Sequence, residues 1–156
     1  MSTRGAYGFK KGKTIKATYN HSDSYPTGLG LTMVHFIQQH SDEELLELYN
    51  KIVLVTDATP LPVDINERDW DEFLRPVEGE PEALFDYEKT RHAMIDSKEF
   101  LKDSLFCEYY YLIEPIKKVL IFNDGKKNKE YSFELLRALR GEDKINWLKK
   151  LEAREV

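Results

Sequence analysis

A chain of 156 residues has the length of one domain, and a domain of that size removes roughly 70% of its unfolded surface from water. With 41% hydrophobic and 33% charged residues it has material for a core and a solvated exterior, which excludes a disordered or fibrous chain. The formal charge of -5 and pI near 5.5 weigh against non-specific binding to nucleic-acid phosphates, which relies on clustered Lys and Arg. No apolar run approaches the roughly 18 residues of a membrane span, and the N-terminus, with Arg4, Lys10 and Lys11, lacks a signal-peptide core. The chain is therefore expected to be cytoplasmic, without membrane contact, and to form a single globular domain over 1–156.

In chain order, Gly5 to Phe9 and the alternating Thr14 to Tyr19 flank a turn at Gly12 and predict a β-hairpin, with Ile15, Ala17 and Tyr19 on one face. The segment Tyr19-Asn20-His21-Ser22-Asp23-Ser24-Tyr25-Pro26 follows, and Leu29, Met33, Phe36 and Ile37 then recur at helical spacing. Ser41 and Glu44 form a capping box that starts a second helix, expected to end near Asp57. The stretch of about 58–82 carries Pro60, Pro62, Pro76 and Pro81 and many acids. It predicts an irregular excursion with one helical turn near Glu67 to Leu74, anchored by Trp70, Phe73 and Leu74.

Glu82 to Ala93 reads as a helix, and Asp96 with Glu99 as a further cap. Cys107 to Ile113 is the clearest strand, Lys118 to Phe122 a second, and Glu130 to Leu135 a third after the turn Asn123-Asp124-Gly125. An amphipathic helix bearing Ile145, Leu148 and Leu151 closes the chain. The expected fold class is α+β: an antiparallel sheet, built from an N-terminal hairpin and a C-terminal three-stranded meander, covered by helices.

The eight residues from Tyr19 to Pro26 concentrate an imidazole, a carboxylate, an amide, hydroxyls and phenols between a strand and a helix, where binding groups usually lie. Arg4, Tyr19, Asn20, His21, Asp23 and Tyr25 are the candidate ligand-binding set, with Arg4 brought near by the hairpin register. The helix start at Gly28 to Gly30 offers backbone N–H groups to an anion. Turn and cap hydrogen bonds account for much of the same polarity. A nucleophilic arrangement would join Cys107 to His21 as base and Asp23 as its orienter, and a processed N-terminal Ser2 or Thr3 is a remoter candidate. A lone Cys beside Phe106 reads more simply as a small buried hydrophobe. The histidines at 35, 40 and 92 lack zinc-ligand spacing, nucleotide-binding glycine patterns are absent, and no metal or cofactor is expected. The acids Asp64, Glu67, Asp69, Asp71, Glu72, Glu78, Glu80 and Glu82 form a possible partner surface.

The blocks Thr3-Arg4-Gly5-Ala6-Tyr7-Gly8-Phe9, Tyr19 to Gly30 and Asp103-Ser104-Leu105-Phe106-Cys107-Glu108-Tyr109 resemble a family of small uncharacterised proteins of bacteria, their phages and mobile elements. The resemblance implies an accessory role, such as an anti-defence inhibitor, and assigns no catalytic residue. Two functions follow from the residues: binding of a host protein or small ligand, or a small hydrolase using His21 and Asp23 with Cys107 or a water.

Overall fold

A computed structural model describes residues 3–154. The hairpin forms as β1 (Gly5–Lys11) and β2 (Thr14–Asn20), turning at Gly12 with φ +61°. The meander forms as β5 (Tyr109–Glu114), β6 (Val119–Asn123) and β7 (Asn128–Ser132). Together they make one five-stranded sheet in the order β2-β1-β5-β6-β7.

The fold is α+β, but the sheet is mixed, because β1 and β5 run parallel with Tyr7 opposite Tyr111. Hairpin turns specify antiparallel neighbours locally, whereas the long crossover between β2 and β5 returns the chain to the end where β1 began. The two parallel strands carry the most heavily buried runs, Gly5 to Phe9 and Tyr111 to Glu114, as expected for strands covered on both faces. Tyr7, Phe9, Tyr111, Ile113 and Phe122 face the main core, while Ala17, Leu112 and Ile121 form a smaller cluster joined by Leu101.

The main face is packed by α1 (Leu31–Gln39), α2 (Asp42–Lys51), α5 (Phe133–Ala138) and α6 (Gly141–Glu152). Met33, Phe36, Ile37, Leu45, Leu136 and Leu148 are their deepest contributions. The capping box of α2 is complete: Ser41 Oγ accepts from the Glu44 N–H and Glu44 Oε1 from the Ser41 N–H. The helix stops at Lys51 rather than near Asp57, because Ile52 to Val55 is aliphatic and largely β-branched and enters β3 (Val53–Val55). Lys16 then caps its end, donating from Nζ to the Tyr49 and Ile52 carbonyls at 2.7 and 2.9 Å.

β3 pairs in parallel with β4 (Ala93–Ile95) as a separate two-stranded sheet. The helix expected over Glu82 to Ala93 is broken into a 3-10 turn, Pro81–Phe85, and a four-residue α4 (Tyr87–Thr90), since Arg91 and His92 take left-handed φ of 54° and 56° and β4 follows. The cap expected at Asp96 leads only into a 3-10 turn, Lys98–Lys102, with Asp96 Oδ1 accepting from the Lys98 N–H. The third meander strand ends at Ser132, whose hydroxyl caps α5. Within the acidic excursion, α3 (Glu67–Leu74) is capped by Asn66. The excursion is tied down by the Arg91–Asp64 pair, with Arg91 over the Phe73 ring at 5.1 Å, and by buried Val77.

Candidate functional site

The segment after β2 is folded by its own backbone. Pro26–Gly30 forms a single π-helical turn leading into α1, and Leu29 N–H donates to Asp23 O at 2.8 Å while Gly28 and Gly30 N–H donate to Tyr25 O. Asp23 stands at φ 56°, and a Cβ on Gly28 would lie 2.3 Å from Asp23 O, so only glycine permits this closure. These amides are already satisfied, so the anion site expected at the helix start is not offered.

Asn20 is buried and donates from Nδ2 to Ser22 O at 2.7 Å and to Ser24 Oγ at 2.8 Å. Tyr111 anchors the segment from beneath, its hydroxyl donating to Ser24 O at 2.8 Å. The remaining predicted residues are distributed differently. His21 is exposed, its Nδ1 is 2.9 Å from the Tyr19 hydroxyl, and its N–H reaches Glu78 Oε1 at 3.3 Å. Asp23 accepts from the Tyr25 hydroxyl at 3.2 Å, a contact that raises the Tyr25 phenol above its ordinary range. Asp23 therefore orients Tyr25, not His21. Arg4 does not reach Asp23 either: its guanidinium lies over Phe106, 5.7 Å from the ring centre, and its N–H donates to Glu108 Oε2.

Cys107 is buried, its thiol facing Tyr109 O at 3.6 Å. Burial first, then the charges of Asp103 and Glu108, pushes the thiol up to about 12, so it is protonated at neutral pH and a poor nucleophile. Among the described residues no hydrogen bond links it to His21. Ser2 lies outside the described residues. No group of three or more His, Cys, Asp or Glu among the described residues converges as a metal-ligand set.

What the sequence does not reveal is the other wall. The stretch from Arg75 to Glu82 folds back along α1. Tyr7 crosses the core to donate its hydroxyl to Val77 O, fixing that stretch to the central strand. A cleft of about 490 Å³ results, lined by Asn20, Ser22, Asp23, Thr32, Arg75 and Glu78 among others. A second cleft of about 470 Å³ shares Thr32 and Gly79 with it and runs on past His35, Phe36, Glu80 and Glu82. They form one groove along α1. Its far end is pinned by His40, which stacks on Phe85 at 4.3 Å and has Nε2 2.8 Å from both Glu82 oxygens. His40 Nδ1 lies 3.5 Å from Glu44 Oε2, without hydrogen-bond geometry. The only hint of this wall in the sequence is the acidic run broken by Gly79.

Neither a protein-family model nor a curated protein nor a solved structure matches the chain. No helix among the described residues is long and apolar enough to cross a membrane.

Proposed function

We propose that the protein is a cytoplasmic accessory protein of the phage or mobile-element kind, acting by binding, and that the groove along α1 holds a segment of a host or defence-related protein. The observation that carries this reading is the docking of the 75–82 stretch against the Asn20 to Gly30 loop. It turns two separate polar stretches into one elongated groove with an apolar floor at Leu29, Phe36 and Pro81. An elongated groove suits a chain segment better than a compact small molecule. An inhibitor of a defence protein needs capture without chemistry, which fits the absence of an activated nucleophile pair among the described residues. No specific observation favours the hydrolase alternative.

The test is affinity purification of the tagged protein from cells, comparing wild type with Thr32→Trp, which fills the groove where its two halves meet. The partner recovered with wild type is expected to be lost with Thr32→Trp and kept with Glu142→Lys, an exposed position in the first turn of α6, each variant melting within about 2 °C of wild type. Equal recovery with Thr32→Trp would remove the groove from the account.

A further inference from the structure

At the far end of the groove one ring meets a different carboxylate at each of its two nitrogens. His40 ends α1 with its side chain only 11% exposed, and Phe36 and Phe85 pack against the ring at 5.0 and 4.3 Å between centres. Nε2 lies 2.8 Å from both oxygens of Glu82, and since a carboxylate has no proton to donate, Nε2 carries one. Nδ1 is buried without a hydrogen bond among the described residues and stands 3.5 Å from Glu44 Oε2. The Glu44 carboxyl is held below its ordinary range, first by the Ser41 backbone N–H and then by His40, so it is ionised at neutral pH. A bare lone pair on Nδ1 faces that negative charge with nothing donated to it, whereas a proton there makes an ion pair.

Further charged groups surround the ring. Arg137 of α5 donates from Nη2 to the His40 carbonyl at 2.9 Å and from Nη1 to Asp42, which Lys118 also meets, while His35 and Glu80 line the cleft beside it. Arg137 opposes a charge on the ring but is spent on Asp42, and the C-terminus of α1 favours a cation. Resting on the groove as the partner-binding site, we infer that His40 is a pH-sensitive latch, whose imidazolium ties the 81–85 turn to α2 through Glu82 and Glu44 and keeps the groove wall seated on α1. Imidazole changes charge between about pH 5 and 8. Loss of the Nδ1 proton to solvent strips the Glu82 bond of its charge assistance and sets a lone pair against Glu44. The latch is therefore complete at the acidic end of that range and weakens as pH rises through the titration of the folded protein.

The test uses the free, isotopically labelled protein, titrating the His40 ring signals while measuring amide protection at Glu80, Ala83 and Asp86, whose N–H groups close the turns of this wall. Between about pH 5 and 8, protection corrected for intrinsic exchange is expected to fall about tenfold in step with the ring titration. Glu44→Gln keeps the helix cap and should lower the midpoint of that titration. His40→Gln should abolish the pH dependence of protection, and partner capture should fall over the same range in wild type but stay level in this variant. A protection profile that does not follow the ring, an unchanged midpoint in Glu44→Gln, or the same pH dependence in His40→Gln would overturn the latch. Loss of the partner with Thr32→Trp beside flat protection would leave the groove standing and remove only the latch. Protection that follows the ring beside equal recovery with Thr32→Trp would instead remove the groove, and with it the latch's effect on capture.

Discussion

Tyr7 joins the centre of the sheet to the outer wall of the groove through one bond to Val77 O, and burial holds its phenol well above the ordinary range, hence neutral and donating. Tyr7→Phe keeps the ring in the core and removes the bond. A cost of about 1–2 kcal/mol in denaturant unfolding is expected, with faster amide exchange confined to residues near 75–80; unchanged exchange there would sink the anchoring role. The sequence singled out Asn20, His21 and Asp23 through their density, but side-chain pairing is not written in density. His21 turned to Tyr19 and Asp23 to Tyr25, while Arg4 found Phe106. Cys107 behaves as the small buried hydrophobe its neighbours indicate. Its thiol is raised, so the folded chain keeps a proton that the unfolded chain releases from the ordinary thiol value of 9.0 upward. Its stabilising contribution is complete below that value and declines as pH rises towards about 12. Alkylation by iodoacetamide at mildly alkaline pH should be about tenfold or more slower in the folded protein than in denaturant; equal rates would contradict a buried thiol.

Elements defined by local chemistry were the legible ones. The turn at Gly12, the turn at Asn123 to Gly125, and the Ser41 and Glu44 box each act within a few residues, and the hairpin, the meander and α2 follow from them. Ser41→Ala removes the hydroxyl that accepts from the Glu44 N–H, while the backbone N–H at position 41 can still donate to Glu44, and should cost about 1 kcal/mol in urea unfolding. A loss within error would mean that tertiary packing alone sets the start of α2. Strands β3 and β4 have only three residues each, too short for alternation to declare itself, and their pairing depends on a partner about forty residues away. The left-handed pair Arg91 and His92 likewise breaks an otherwise helical stretch for the sake of β4, a tertiary demand that overrides propensity.

At the scale of the molecule, the mixed sheet and the groove share one cause. The crossover that makes β1 and β5 parallel carries α1 and the acidic excursion over the same face, where His21 and Glu78 meet across 57 positions of sequence. Loop closure over such distances leaves no local signature. The α+β class could therefore be read from the chain, whereas the parallel junction and the second wall of the site could not. The central claim is that this wall and the Asn20 to Gly30 loop grip a partner together. The most direct measurement places a photo-crosslinking amino acid at position 32, where both clefts meet, and another at exposed position 142 in the first turn of α6, with adducts identified after irradiation in cells. The account predicts one dominant partner adduct from position 32 and none from position 142. The same adducts from both positions, or none from position 32, would contradict it.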